Sequence, residues 1–262
     1  MHGLASIDQG REFDWGRTSN DYAAYRPGYP VSFFRRLAAL GIGVPEQRLL
    51  DLGTGTGALA RLFAARGCEV TGLDIAPKLL AAGRRLAAEQ GAAVEFIEAP
   101  AENTGLPSRA FDIVTAGQAW IYFDLNRVIP EVLRLLMPGG GLMTCHQCWL
   151  PRHDEIARQT EELVLQFNPG WSGADYSGDI PPQPEWSRDA FRVRAMFYYD
   201  EPIPFTRDSW RGRIRASRGI GASLPAGEVE RFDREHAALL ERAAPENFSI
   251  LHRIDMHFFE PK

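Results

Sequence analysis

The sequence predicts an α/β fold: a doubly wound, mostly parallel seven-stranded sheet with an antiparallel last strand, an N-terminal helical lid and an insertion in the C-terminal half. Three observations point there. Short apolar runs alternate with helix-like segments across residues 48–149, the pattern of a parallel sheet covered by helices. The first of those runs breaks into the glycine-rich turn Gly53-Thr54-Gly55-Thr56-Gly57. A chain of 262 residues with 45% apolar and 24% charged side chains has the balance to bury a full core as one elaborated domain.

Taken in order, residues 1–45 form the lid, 46–150 the core, 151–190 the insertion and 191–262 the last strands and helices of a single domain. Residues 22–40 read as short helical lid, with Tyr22, Tyr25, Arg26 and Tyr29 about one turn apart and so largely on one face. Strands are predicted over 48–52, 69–74, 93–98, 111–116 and 142–148, each short and rich in apolar residues. Crossover helices fill the gaps. The helix over 58–65 follows the glycine turn, and that over 77–89 has Pro77 in its first turn and Gly91 just past its end. A helix over 126–136 stops at Met137-Pro138-Gly139-Gly140. Residues 151–183 read as a helix followed by a loop rich in Pro, Gly and Trp. Segments 191–199 and 248–259 alternate like strands and form the last pair in the sheet, with an arginine-rich helix and a helix over 228–242 between them.

Composition excludes several classes of partner. The net charge of -5 provides no positive field for a phosphate backbone, so no nucleic acid is expected. No apolar run reaches the roughly 18 residues that span a bilayer, and the opening residues lack the basic-then-apolar order of a signal peptide, so no membrane association and a cytoplasmic location are expected. Three cysteines, Cys68, Cys145 and Cys148, are too few and odd in number for a stapled secreted scaffold. Lys78 and Lys262 are the only lysines, so an arginine in this chain is weak evidence of anion chemistry.

The sharpest local signal is Leu49-Leu50-Asp51-Leu52-Gly53-Thr54-Gly55-Thr56-Gly57. A loop leaving a parallel strand must bring its backbone close to a ligand and then open a helix, and a side chain at Gly53 or Gly55 would fill the space the ligand needs. By spacing alone Gly53-x-Gly55-x-x-Ala58 also satisfies the dinucleotide pattern of NAD(P)-dependent oxidoreductases. Asp51 tilts the balance, because a carboxylate there suits a ligand with an ammonium group and repels a pyrophosphate. S-adenosylmethionine carries that ammonium. Asp74, about twenty residues on at the end of the next strand, suits ribose hydroxyls in either cofactor class.

The segment Asp51–Gly57 resembles the first motif of class I, Rossmann-like S-adenosylmethionine-dependent methyltransferases. Gly72-Leu73-Asp74-Ile75-Ala76-Pro77 is similar to that family's second strand end, Ala101-Glu102-Asn103-Thr104-Gly105-Leu106-Pro107 to the loop beside the adenine, Phe111-Asp112-Ile113-Val114 to the fourth strand, and Leu135-Leu136-Met137-Pro138-Gly139-Gly140 to the turn into the fifth. The segments 22–30 and 118–124 look most like the small-molecule branch that includes trans-aconitate methyltransferase relatives, although Ile121 stands where those relatives often carry a histidine. The resemblance implies that Gly53, Thr54, Gly55 and Gly57 line the methionyl and ribose portion of S-adenosylmethionine. It implies that Asp51 meets the ammonium and Asp74 the ribose hydroxyls. Ile75 would pack on the adenine, with Ala101 and Glu102 at its exocyclic edge. Residues 46–150 are then the cofactor-binding core and 151–190 an acceptor-side insertion.

Gln118, Ala119 and Trp120 follow the fourth strand, at the carboxyl edge where open parallel sheets bind ligands. Arg26 is a candidate for the methionyl carboxylate, and Tyr22 with its neighbours for shielding the sulfonium. The expected reaction is methyl transfer to a small molecule, acidic or secondary metabolites included, by a monomer or homodimer. A sensor that binds S-adenosylmethionine without transferring its methyl is the alternative within that cofactor class. His146 is the first candidate for general base and Tyr122 the second. No metal is expected: alternation puts Cys145 and Cys148 of Cys145-His146-Gln147-Cys148 on opposite faces of a strand, with no second pair to complete a tetrahedral set. The run Arg207, Arg211, Arg213, Arg215 and Arg218 binds an acidic acceptor, forms a solvated helix face or packs against the acidic helix over 228–241. Trp171 and Trp186 either wall the acceptor site or bury the insertion.

Overall fold

The computed structural model describes residues 4–262, with side chains from Ile7 onward, so the first three residues of the expected lid lie outside the described residues. The chain packs into two compact units. One comprises Gly28–His146, Ile180–Tyr198 and Asp255–Lys262; the other comprises the residues up to Pro27, Gln147–Asp179 and Tyr199–Ile254. A seven-stranded sheet in the order β3-β2-β1-β4-β5-β7-β6 contributes strand residues to both. Its strands are β1 (Arg48–Leu52), β2 (Glu69–Asp74), β3 (Val94–Glu98), β4 (Phe111–Gly117), β5 (Leu136–Trp149), β6 (Phe191–Thr206) and β7 (Asn247–Pro261).

The sheet is mostly parallel, and its last strands run antiparallel. β1 lies between β2 and β4, all parallel: Asp51 pairs with Gly72 on one side and Thr115 on the other. From β1 the chain builds outward to β2 and β3 and then crosses back to start β4, so the strand order reverses between β1 and β4. In open α/β sheets a reversal of this kind leaves a crevice beyond the carboxyl ends of the two strands, where ligands bind. The central strands are buried on both faces through Leu49, Leu50, Leu52, Ile113, Val114 and Ala116, each contributing about 1–3 kcal/mol of apolar burial.

Helices α3 (Ala58–Ala64), α4 (Pro77–Gln90) and α5 (Leu125–Leu135) make the crossovers of this unit. Proline opens α4 and the left-handed Gly91 (φ 63°) closes it, as the sequence predicts. The expected stop Met137-Pro138-Gly139-Gly140 behaves differently. β5 begins at Leu136, and its pairing with β4 skips from Phe111–Leu136 to Ile113–Gly141, so the Pro-Gly-Gly stretch is a bulge inside the strand. β6 and β7 also run longer than the alternating segments of the sequence suggest.

The lid corrects one expectation. Residues 22–40 are not one helical stretch but two helices, α1 (Ser19–Tyr25) and α2 (Val31–Ala39). Arg26 caps α1 in extended backbone (φ -74°, ψ 118°), because a residue before proline is pushed out of the helical region and Pro27 follows it. Arg26 and Tyr29 therefore do not share the helical face of Tyr22 and Tyr25. Within the unit that holds α1, the Arg26 guanidinium lies 4.8 Å from the Tyr22 ring centre.

The same unit contains α6 (Glu155–Phe167), α7 (Arg207–Arg215) and α8 (Ala226–Ala243) around a core of Trp149, Trp171, Trp210, Phe232 and Leu240. Trp171 is thus part of a core. The arginine-rich segment is spent internally: Arg211 and Arg215 both bond Asp233 of α8, Arg215 also holds Asp21 of α1 in a two-pronged pair, and Arg207 donates to the carbonyl of Ala244. Arg211 and Arg215 thus pair with the acidic helix, while Arg213 lies over the Trp149 ring and Arg218 pairs with Asp8. No helix among the described residues is long and apolar enough to cross a membrane.

Candidate functional site

The glycine turn leaves β1 at the strand-order reversal. Gly53, Gly55 and Gly57 adopt φ of +66°, +58° and +73°, left-handed values that side chains rarely take. At Gly53 the missing side chain leaves room for protein rather than ligand, since a Cβ there would lie 2.5 Å from that of Ala119. At Gly57, which caps the start of α3, it would lie 2.7 Å from the Phe96 ring. The loop is tied to β2 twice. Thr54 donates its N–H to the Leu73 carbonyl at 2.9 Å, and Gly55 donates its N–H to an Asp74 carboxylate oxygen at 2.8 Å.

Two carboxylates flank this loop. Asp51 is 2% exposed, and each of its oxygens receives a hydroxyl at 2.7 Å, one from Thr54 and one from Thr115. Burial pushes its pKa up to about 6, against the lowering effect of the two hydroxyls and with a small further push from Asp74. Asp74 is half-buried and shifted upward by burial, opposed by backbone N–H donors including Ala76 and Gly55. Gly55 donates to one Asp74 oxygen and Ala76 to the other.

Beyond β2, Ile75 is 71% exposed, which rules out the core role most isoleucines have. Ala101 is buried, and Glu102 accepts the Asp124 N–H at 2.9 Å, which steadies the start of α5. At the carboxyl end of β4, Gln118 takes a left-handed φ of +64° and donates its N–H to the Cys145 carbonyl at 2.9 Å. Ala119 packs under Gly53. Trp120 is a core residue, its ring 4.8 Å from that of Trp186 and 5.9 Å from that of Phe123. Trp186 likewise packs against Phe259 and is absorbed into this core. Tyr122 closes the short 3-10 turn Trp120–Tyr122.

Gly117 pairs with Cys145, which sets His146 one residue beyond the end of β4 on the same edge. His146 Nδ1 lies 3.0 Å from Asp255 Oδ1 of β7. Tyr29 donates its hydroxyl to the Cys145 carbonyl at 3.2 Å. Among the described residues no cluster of three or more His, Cys, Asp or Glu side chains is arranged to hold a metal.

One unit therefore brings together Asp51, Gly53, Thr54, Gly55, Gly57, Asp74, Ile75, Ala101, Glu102, Gln118, Ala119, Trp120, Tyr122 and His146; Tyr22 and Arg26 belong to the other unit. The sequence offered Tyr29 only as one of the lid tyrosines and gave no role to Thr115 or Asp255.

A family described as a methyltransferase domain matches residues 50–144. A demethylmenaquinone methyltransferase from Thermus thermophilus is 40% identical over 202 residues, 76% of each chain. A malonyl-[acyl-carrier protein] O-methyltransferase from Enterobacter lignolyticus is 40% identical over 96 residues, covering 36% of this chain and 37% of the relative. Among solved structures, a SAM-dependent methyltransferase from Geobacter sulfurreducens in complex with S-adenosyl-L-homocysteine superposes over 96% of this chain and 99% of its own, with a TM-score of 0.53 at 20% identity, a likeness of fold.

Proposed function

The chain belongs to the class I, Rossmann-like S-adenosylmethionine-dependent methyltransferases, and from that premise we propose that it methylates a small-molecule acceptor and releases S-adenosylhomocysteine. The observation that carries this reading is the glycine turn at the strand-order reversal, bolted by its Gly55 N–H to the Asp74 carboxylate. S-adenosylmethionine supplies a methyl group activated by a sulfonium. The residues supply the grip.

In this reading Asp74 accepts the two ribose hydroxyls. Ile75, exposed where an isoleucine gains nothing from water, offers an apolar face to the adenine. Ala101 and Glu102 lie at the base's exocyclic edge. Gly53, Thr54, Gly55 and Gly57 line the methionyl portion. Asp51, with both oxygens held by threonine hydroxyls, acts as a buried negative charge beneath the loop that favours the cofactor's ammonium. Gln118 and Ala119 shape the floor, and Trp120 supports them from the core. His146 and Tyr122 stand on the edge where an acceptor would approach.

The names of the relatives point to two kinds of acceptor, a quinone nucleus and an acid borne on a thioester. The test is direct: incubation with methyl-deuterated S-adenosylmethionine and a metabolite extract, followed by untargeted mass spectrometry. A product heavier by one labelled methyl group, absent with Asp74→Ala, is expected. A profile identical to the protein-free control would contradict the reading.

A further inference from the structure

Asp255 is the least expected residue on this edge. It lies between Ile254 and Met256 of β7, its side chain is 3% exposed, and one of its oxygens, Oδ2, is buried with no hydrogen-bond partner. Its other oxygen sits 3.0 Å from Nδ1 of His146, whose side chain is 32% exposed. Both residues lie in the same unit as the glycine turn. An ionised carboxylate accepts hydrogen bonds and cannot donate them, so against the ionised Asp255 it is Nδ1 that carries the proton. The imidazole is thereby fixed in the tautomer that leaves the lone pair on Nε2, and no hydrogen bond among the described residues engages Nε2. A buried carboxylate behind an imidazole also stabilises the imidazolium that forms when Nε2 takes a proton.

The neighbouring His257 does not compete for this role. Its Nε2 is 2.8 Å from the Pro181 carbonyl, its ring stacks on Phe259, and burial holds it below the ordinary histidine range.

We propose that His146 and Asp255 form a proton-accepting dyad, and that the acceptor is accordingly a hydroxyl-bearing aromatic or enolic compound rather than an already ionised carboxylate. The inference rests on the methyl-transfer reading above and narrows it. A carboxylate acceptor is a nucleophile without help, and a base beside it has nothing to remove. A phenolic or enolic hydroxyl must lose its proton: as the acceptor oxygen's electron pair forms the bond to the methyl carbon, the methyl–sulfur bond breaks with its pair left on sulfur. The hydroxyl proton passes to Nε2 of His146 and from there to water. Asp255, which touches no substrate in this scheme, is a positioning residue.

The experiment compares the wild type, His146→Ala and Asp255→Asn with 1,4-dihydroxynaphthalene and with a malonyl thioester as acceptors, and measures S-adenosylhomocysteine affinity by calorimetry in parallel. The dihydroxynaphthalene should be the better acceptor. His146→Ala should lower kcat about 100-fold with KM and S-adenosylhomocysteine affinity little changed, and added imidazole should restore part of the rate. Asp255→Asn should lower kcat about tenfold at unchanged KM, reflecting a mispositioned imidazole. Undiminished kcat in His146→Ala, or a wild type that prefers the thioester carboxylate, would overturn the proposal. Wild-type protein that binds no S-adenosylhomocysteine would instead sink the methyl-transfer reading itself. If the cofactor product binds and neither probe is methylated, nitrogen NMR of the imidazole decides: a protonated Nδ1 that depends on Asp255 supports the dyad, and a protonated Nε2 at neutral pH contradicts it.

Discussion

Asp51 shows what a single residue contributes. Its carboxylate is buried under the glycine turn with two hydroxyls for company, and its pKa is pushed from 3.8 up to about 6. Between those two values the folded protein binds a proton that the unfolded chain has released, so folding is favoured there, and that contribution is lost as pH rises through about 6. At neutral pH the ionised Asp51 therefore weakens the apo fold, which fits a charge kept for a cationic ligand. Asp51→Asn should leave the melting temperature at pH 7 unchanged or raised, while weakening S-adenosylhomocysteine binding about tenfold or more; thermal denaturation and calorimetry check both halves. A variant that melts lower and binds normally would assign Asp51 to structure alone. Asp51 and Asp74 stood out in the sequence because Asp51 lies two residues before the glycine turn and Asp74 ends the next short apolar strand. Thr115 and Asp255 did not, because their partners lie 64 and 109 residues away and only the strand pairing brings them together.

Among the elements, the short buried strands and the helix with proline at its start and glycine past its end were readable almost to the residue. Their signals are local: apolar runs of limited length, and cap residues whose backbone preferences are intrinsic. The failures were also local in cause. A proline after Arg26 outweighed the helical spacing of the tyrosines, and Pro138-Gly139-Gly140, which resembles a full stop, is absorbed as a bulge because β4 continues to pair on both sides of it. The arginine-rich helix was ambiguous from sequence and is settled by geometry, with Arg211 and Arg215 converging on Asp233. Burial raises the pKa of Asp233, but the two guanidiniums outweigh it and hold it below the usual carboxylate range, so its stabilising contribution is present at neutral pH and lost as pH falls below about 4. Asp233→Ala should cost about 2 kcal/mol at pH 7, discounted for partial exposure, and this cost should shrink at pH 3. Equal destabilisation by urea at both pH values would show that charge pairing at α7 and α8 contributes nothing.

At the scale of the whole molecule, the parallel sheet and its strand order place the candidate site residues more firmly than any single contact. A glycine turn, an exposed isoleucine, a half-buried carboxylate and a histidine backed by aspartate come from four strands, β1, β2, β5 and β7, and reach one edge because β1, β2, β4 and β5 run in the same direction and β7 lies beside β5. The order of the motifs along the chain made the sheet legible in advance. The acceptor was not legible, because acceptor contacts depend on side chains that no fixed spacing ties together. The central claim is that the turn at Gly53–Gly57, with Asp74, holds S-adenosylmethionine. Isothermal titration of S-adenosylhomocysteine into the wild type and Asp74→Ala, with NAD as the control ligand, tests it most directly. Saturable heat from S-adenosylhomocysteine is expected with the wild type, with a loss of at least about 30-fold in affinity, about 2 kcal/mol, for a folded Asp74→Ala protein and no heat from NAD. Equal affinity in the two proteins, or binding of NAD in place of S-adenosylhomocysteine, would contradict it.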